Sequence, residues 1–190
     1  MAAVEHDPAL EEKGVSSEQL VDGKLLKVWR DEVRLPDGSL AMREYVQHPG
    51  ACIVIAELRP GILVFERQFR YPVGEVLIEF PAGKLDAGEA SLVCAQRELL
   101  EETGYVASEW RHLGTLLPCV AYSSERIELF LARGLDYKGQ HLDEGEFLEV
   151  FEMSLDDAEA AVFDGRITDA KTIAGLFWAR RVLEKTSAQA

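Results

Sequence analysis

The sequence predicts an α/β fold in which a mixed sheet lies between helices, with a small antiparallel β layer added at the N-terminus. Three observations favour this fold. Strand-like runs bounded by turn residues fill much of the first half of the chain, an amphipathic helix follows at about 89–103, and helical patterns return after residue 155. A chain of 190 residues can bury a substantial core, and one main domain is the default at this length.

Residues 1–47 form the predicted N-terminal part. Residues 1–17 are polar and without periodicity, so we expect them to be frayed. Further on, Asp22-Gly23 and the run Pro-Asp-Gly-Ser at 36–39 are turn sequences, each flanked by strand-like runs. These signals predict a small antiparallel sheet, and we place the main domain at 48–190.

The predicted main domain contains short strands followed by helices. The strand-like runs are bounded by Gly, Pro or polar residues: 52–58, 62–69, 75–80, 110–117, 126–132 and 147–153. Two helices are expected near the C-terminus, at about 156–164 and 169–184, the second with Ile173, Phe177 and Val182 on one stripe.

The helix at about 89–103 has the strongest local signals. Leu92, Ala95 and Leu99 stand at i, i+3 and i+7, which forms an apolar stripe that a core can cover. Gly104 follows the last periodic residue, where glycine most easily adopts a left-handed C-terminal cap.

The C-terminal end of this helix is unusually acidic. Glu98, Glu101 and Glu102 share one face by the i, i+3, i+4 rule, and like charges at this spacing repel each other. The helix dipole disfavours carboxylates there as well. A bound Mg²⁺ or Mn²⁺ would relieve both penalties, because hard divalent ions take carboxylate oxygens. Taken alone, such a triplet is more often a solvated helix end.

Composition restricts the possible partners. The formal net charge is −14, so a long nucleic acid would be repelled, whereas a small phosphorylated molecule can still bind beside cations and a few arginines. No apolar run approaches 18 residues and the N-terminal stretch is acidic, which predicts no membrane partner and a cytoplasmic location. Cys52, Cys94 and Cys119 are widely spaced and predict buried free thiols.

The pattern around the acidic triplet is specific. Residues 83–105 match G-x5-E-x7-R-E-U-x-E-E-x-G-U, where U is a bulky apolar residue, at every specified position. The matching residues are Gly83, Glu89, Arg97, Glu98, Leu99, Glu101, Glu102, Gly104 and Tyr105. This segment resembles the Nudix box, and the resemblance implies a Nudix-type α/β/α sandwich that hydrolyses a nucleoside diphosphate linked to another group.

The resemblance also implies roles for the box residues. Glu98 and Glu102 would ligate the metal, assisted by Glu101 and the carbonyl of Ala82. The expected ion is Mg²⁺, with Mn²⁺ as a possible substitute. Arg97 and Glu101 would be catalytic residues, and Glu89 would orient Arg97. Gly83 and Gly104 would be structural.

Three runs outside the box resemble the ADP-ribose pyrophosphatase branch of this family: Gln-Phe-Arg-Tyr-Pro at 68–72, Glu-Phe-Pro-Ala-Gly-Lys at 79–84 and Asp-Ala-Lys-Thr at 169–172. By resemblance, Arg70 contacts a phosphate or ribose of the substrate; the alternative is a surface ion pair. Glu79 is placed with Arg70 as a substrate-binding candidate, and it is either a metal ligand or a neighbour of the ligands. Asp169 is expected to cap the last helix.

Glu125 ends the loop that follows the predicted strand 110–117. By resemblance it positions or deprotonates the attacking water or ligates a further ion; the alternative is a solvated loop glutamate. The loop has Val120-Ala121 where many ADP-ribose hydrolases have Pro-Gly, a difference that bears on the substrate subclass.

The function implied by these runs is Mg²⁺-dependent hydrolysis of ADP-ribose to AMP and ribose 5-phosphate. One alternative is hydrolysis of another nucleoside diphosphate sugar such as GDP-mannose. An alternative from another class is a non-catalytic nucleotide-binding module. In ADP-ribose-type relatives an N-terminal β layer helps to form a dimer, so residues 1–47 are expected to make a homodimer.

Overall fold

The computed structural model describes residues 7–187, with side chains described for residues 7–183. The first six residues of the stretch predicted to be frayed therefore lie outside the described residues. The chain divides into two compact units. One contains the residues up to 48 together with the loop 119–125, and the other contains 49–118 together with the chain from 126 onwards.

The N-terminal unit is an antiparallel sheet in the order β1-β2-β3. Its strands are β1 (Lys13–Asp22), β2 (Lys27–Arg34) and β3 (Leu40–Gln47). The prediction of a frayed stretch up to residue 17 is wrong for its last five residues, because β1 begins at Lys13, opposite Arg34. Every residue of β1 is exposed, so no buried face marked the strand in the sequence. The loop 119–125 bonds to β3 through Val46, whose N–H donates to the Tyr122 carbonyl at 2.9 Å.

The main unit is built on a seven-stranded sheet in the order β10-β5-β4-β9-β8, with β6 paired to β5 and β7 paired to β4. Its strands are β4 (Ala51–Arg59), β5 (Ile62–Arg70), β6 (Glu75–Glu79), β7 (Ala82–Lys84), β8 (Tyr105–Leu116), β9 (Ile127–Tyr137) and β10 (Leu148–Ser154). Strands β4 and β9 run parallel and the other pairs are antiparallel, so the sheet is mixed as predicted.

The strands β4 and β5 pair only at one end, next to the turn that joins them. At their other ends each strand has a different partner: β7 pairs with residues 51–53 of β4, and β6 pairs with residues 66–70 of β5. Between these two pairings the Val54 N–H donates to the Pro81 carbonyl at 2.8 Å. The segment 79–84 is thereby held across the opening between the two central strands.

Helices cover both faces of this sheet: α1 (Ser91–Thr103), α2 (Leu155–Phe163) and α3 (Ala170–Ser187). Successive residues of a strand point to opposite faces. Val64 accordingly packs in a cluster with Ala95 and Leu99 of α1, whereas Phe65 packs in another cluster with Leu176 of α3. The predicted α/β/α sandwich is confirmed. Neither α1 nor α2 nor α3, the helices within residues 7–187, has the length and apolar character needed to cross a membrane.

Two predicted helix stripes are partly wrong. In α1, Ala95 and Leu99 are buried as expected, but Leu92 is exposed and Cys94 takes its place in the core. In α3, Val182 is buried as expected, but Ile173 and Phe177 are exposed, because the buried face follows Leu176, Ala179 and Leu183 instead. Sequence spacing alone could not decide which of two adjacent apolar residues faces the sheet.

The three cysteines are free thiols, as predicted. Cys52 of β4 and Cys94 of α1 are buried with their Sγ atoms 3.2 Å apart, whereas Cys119 is only half-buried. β4 and α1 are thus in close contact at these two thiols.

Candidate active site

The box helix α1 has a well-defined end. Gly104 adopts a left-handed conformation with φ of 77°, and its N–H donates to the Leu100 carbonyl at 2.9 Å. A Cβ at this position would lie 2.6 Å from the ring of Tyr137 and 2.7 Å from the backbone nitrogen of Gln140. Both the backbone conformation and the space therefore require glycine here.

Arg97 connects three of the box glutamates. Its Nε and Nη2 atoms donate to the two carboxylate oxygens of Glu89 at 3.0 and 2.9 Å, a bidentate pair. Its Nη1 atom donates to Glu98 at 2.7 Å and to Glu101 at 3.1 Å. The hydrogen bonds from Arg97, followed by the one from the Asp86 N–H, lower the pKa of Glu89 to about 2. This geometry agrees with the expected orienting contact between Glu89 and Arg97.

Glu98 lies against the backbone of Gly83. A Cβ placed on Gly83 would be 1.8 Å from Cδ and Oε1 of Glu98, so no other residue leaves room for this carboxylate. Burial raises the pKa of Glu98, and the charge and hydrogen bond of Arg97 only partly oppose this. The glycine of the box is thus a cradle for one of the predicted ligands.

Glu102 is 3% exposed, and its Oε2 atom accepts a hydrogen bond from the Ala82 N–H at 2.9 Å. Burial, followed by the negative charges of Glu66 and Glu98, raises its pKa to about 10. The two predicted ligands Glu98 and Glu102 and the residue predicted to offer a carbonyl, Ala82, therefore lie together at the opening between β4 and β5.

Arg70 and Glu79 contact each other. The Nε and Nη2 atoms of Arg70 donate to the two oxygens of Glu79 at 2.7 and 2.9 Å, and Lys171 donates to Glu79 as well. Burial acts to raise the pKa of Glu79, but the hydrogen bonds and charges of Arg70 and Lys171 outweigh burial and lower it. Arg70, whose side chain is 37% exposed, therefore forms an ion pair with a buried partner, and its expected contact to the substrate stays a prediction.

Residues 169–172 hold the start of α3 against the segment 79–84, where the box begins. An oxygen of Asp169 accepts from the Thr172 N–H at 2.9 Å, which is the expected N-cap contact. The Thr172 hydroxyl in turn accepts from the buried Phe80 N–H at 3.0 Å, and Lys171 reaches Glu79. The N-terminal cap of α3 and the segment 79–84 are thus joined through the adjacent residues Lys171 and Thr172.

Sequence reasoning missed Glu66. This residue is fully buried on β5, opposite Glu79 of β6, and neither of its carboxylate oxygens has a hydrogen-bond partner among the described residues. Burial, followed by the negative charge of Glu79, raises the pKa of Glu66 to about 8. A glutamate inside the run Leu-Val-Phe-Glu-Arg, where both faces of the strand are apolar, was a signal that could have identified it.

We refer to Glu66, Glu79, Glu98 and Glu102 as the carboxylate cluster. Carboxylate oxygens are the donors that Mg²⁺ and Mn²⁺ prefer, and the unpartnered oxygens of Glu66 suit a small hard cation. Within residues 7–187, no three acidic, His or Cys side chains are already gathered in metal-ligand geometry.

Glu125 belongs to the N-terminal unit, at the end of the loop 119–125. One of its carboxylate oxygens lies 3.7 Å from Nδ1 of His48, and its N–H donates to the Ser123 hydroxyl at 3.2 Å. Its expected role toward water or a metal stays a prediction.

Two family models match the chain. The model described as NUDIX domain matches residues 46–176, and the model described as nucleoside diphosphate sugar hydrolase N-terminal domain matches residues 12–46. The first match covers the whole box, and the second covers the strands β1 and β2 and most of β3.

Several characterised proteins are similar over most of the chain. A methanol dehydrogenase activator of Bacillus methanolicus is 40% identical over 86% of this chain and 89% of that protein. An ADP-ribose pyrophosphatase of Bacillus subtilis is 39% identical over 86% of this chain and 90% of that protein. A GDP-mannose pyrophosphatase of Yersinia pestis is 33% identical over 72% of this chain and 73% of that protein.

Among solved structures, an ADP compounds hydrolase has the same fold. It superposes with a TM-score of 0.84 over 93% of this chain and 97% of that one, at 22% identity. With the complete box, the match of the domain model and relatives close to 40% identity, the chain belongs to the Nudix family.

Proposed function

We propose that this protein is a Mg²⁺-dependent pyrophosphohydrolase that converts ADP-ribose and water to AMP and ribose 5-phosphate. The observation that carries the proposal is the placement of Glu98 and Glu102 beside Ala82, at the opening between β4 and β5. The similarity to an ADP-ribose pyrophosphatase over most of both chains supports the substrate.

The divalent ion would be held by Glu98 and Glu102, with Glu101 and the Ala82 carbonyl assisting. When bound, such an ion neutralises the pyrophosphate oxygens and lowers the pKa of a coordinated water. Arg97 keeps the box glutamates in place through its bonds to Glu89, Glu98 and Glu101. Mg²⁺ is the proposed ion, and Mn²⁺ is the proposed substitute.

Arg70 is the proposed contact to a phosphate or ribose of the substrate. Glu79 occupies its Nε and Nη2 atoms, which fixes the plane of the guanidinium. The Nη1 atom has no acceptor among the described residues, and the side chain is partly exposed. In this arrangement Glu79 positions the arginine, and Arg70 offers the remaining nitrogen to a phosphate oxygen.

In the proposed reaction, water attacks one phosphorus and the bridging P–O bond breaks, which releases the two monophosphates. Glu125 is the proposed acceptor of the proton from water. We also propose that residues 1–47 form an N-terminal layer and residues 48–190 the hydrolase domain, and that the N-terminal layer forms a homodimer. A cytoplasmic location and the absence of nucleic-acid and membrane partners remain predictions from the sequence.

A second candidate substrate is another nucleoside diphosphate sugar such as GDP-mannose. The match of residues 12–46 to a nucleoside diphosphate sugar hydrolase N-terminal domain and the GDP-mannose pyrophosphatase relatives favour it. A non-catalytic module is the candidate from another class. The complete set of box carboxylates argues against this last alternative, because a module without turnover has no need of them.

Product analysis tests the proposal. The purified protein is incubated with ADP-ribose or GDP-mannose, in Mg²⁺ or in chelator. We expect AMP from ADP-ribose in Mg²⁺ only. Glu102→Gln should lower the rate by about 10³-fold, since metal stabilisation contributes several kcal/mol and each 1.36 kcal/mol is tenfold. Glu149→Gln, an exposed glutamate of β10, is the control and should leave the rate unchanged.

Faster turnover of GDP-mannose than of ADP-ribose would agree with the proposed metal site but would make GDP-mannose the preferred substrate. The absence of metal-dependent turnover with either substrate would contradict the enzyme and favour a binding module.

A further inference from the structure

Glu66 is the member of the carboxylate cluster to which neither the box pattern nor the runs at 68–72 and 79–84 give a role. We propose that Glu66 is a further binding residue for the divalent cation, acting together with Glu98 and Glu102. The inference rests on the metal dependence in the proposed function. It adds a residue from β5 that lies outside the box.

The first observation is its isolation. Glu66 is 0% exposed, and both of its oxygens lack a hydrogen-bond partner within residues 7–183. A buried ionised carboxylate without a partner is costly, and natural proteins pair such groups or use them to coordinate metals. A neutral carboxylic acid is also unsatisfied here, because its O–H would lack an acceptor.

The second observation is that neighbouring cations are already bound to other carboxylates. Arg70 and Lys171 both donate to Glu79, the residue opposite Glu66 on β6. Arg97 donates to Glu89, Glu98 and Glu101. The hydrogen bonds of these three basic side chains to carboxylates thus go to other glutamates, although the charges of Arg70 and Lys171 act on Glu66 and partly oppose the rise of its pKa.

The third observation is the direction of Glu66. Val64, two residues earlier on β5, packs in the same cluster as Ala95 and Leu99 of α1. Since residues i and i+2 of a strand share a face, Glu66 points to the α1 side of the sheet. Its charge accordingly acts on Glu102, and after burial it is the largest cause that raises the pKa of Glu102.

These three observations describe a carboxylate that faces the proposed ligands and has no protein partner. A further carboxylate adds charge to a cation site and raises its affinity, since ligand charge is one of the quantities that set affinity. Removal of Glu66 should therefore weaken ion binding without removing it.

Mn²⁺ binding tests this inference directly. The protein is freed of metal with chelator, and Mn²⁺ is titrated by calorimetry into the wild type, Glu66→Gln, Glu66→Asp and Glu102→Gln. We expect affinity to fall by about tenfold or more in Glu66→Gln, with partial recovery in Glu66→Asp, on the scale of residues that support a metal site. Glu57→Gln is the matched control: Glu57 is a mostly buried glutamate of β4 paired with Arg133, away from the cluster.

Thermal unfolding of the same variants separates metal binding from folding. In chelator, Glu66→Gln should melt at or above the temperature of the wild type, because it removes a buried carboxyl group that has no hydrogen-bond partner among the described residues. With Mn²⁺ the wild type should gain stability and Glu66→Gln should gain much less. A lower melting temperature of Glu66→Gln in chelator, with an unchanged gain from Mn²⁺, would overturn the inference.

The outcomes also distinguish the two proposals. If Glu102→Gln loses Mn²⁺ affinity and Glu66→Gln binds like the wild type, the inference about Glu66 is wrong and the proposed function stands. If the wild type binds no Mn²⁺, both fail.

Discussion

Glu66 and Glu79 are the same residue type, face each other across β5 and β6, and are both almost completely buried. Their surroundings differ in one respect. Glu79 accepts hydrogen bonds from Arg70 and Lys171, and its pKa is lowered. Glu66 has no hydrogen-bond partner among the described residues, and burial, followed by the charge of Glu79, raises its pKa to about 8. Burial alone therefore does not tell whether a carboxylate serves the fold or a ligand; the partners do.

The largest expected loss of stability comes from replacing Glu79, the glutamate with basic partners. Glu79→Gln leaves the positive charges of Arg70 and Lys171 without their partner, and we expect it to lower the free energy of unfolding by about 3 kcal/mol. Glu66→Gln, measured in chelator, is the comparison and should cost nothing or stabilise. Urea unfolding of both variants measures the difference, and equal losses would show that the two glutamates serve the fold alike.

A smaller effect is expected at the cradle of Glu98. In Gly83→Ala the added Cβ would overlap Glu98, so the carboxylate must move, at a cost of about 2 kcal/mol for overpacking. We expect this variant to bind Mn²⁺ more weakly than the wild type. Gly14→Ala is the control, because nothing lies near a Cβ at that position. Unchanged stability and Mn²⁺ affinity in Gly83→Ala would show that Glu98 does not depend on this glycine.

The smallest effect concerns one partner of Glu79. Lys171→Met removes a donor to Glu79 and Asp169. Glu79 then loses one of its two basic partners but keeps Arg70. We expect a loss of about 1.5 kcal/mol, the usual range for a hydrogen bond to a charged group. Lys138→Met, in an exposed pair with Asp136, should lose less than about 1 kcal/mol. Urea midpoints compare the two, and the reverse order would contradict the importance of this pair.

Sequence-based prediction succeeded where the local sequence signals were strong. The end of α1 at Gly104 and the turn at Gly38 were marked by glycines that adopt a positive φ in the structure. The strand β1 was missed in part, because an exposed strand carries no alternation of apolar and polar residues. Glu66 was missed for a different reason: the box pattern does not include it, and its one signal, a glutamate within an otherwise apolar strand, does not say what the carboxylate does.

The sequence by itself determined the family, the α/β class and the acidic end of α1, because box spacing, helical periodicity and turn residues are local properties of the chain. Only the tertiary structure decided which carboxylates have partners. Glu79 meets Lys171 across 92 residues of sequence, and Glu66 faces Glu79 through strand pairing. Ion pairs and burial depend on distances in space, and no local pattern around Glu66 indicated that its neighbouring cations would bind other groups.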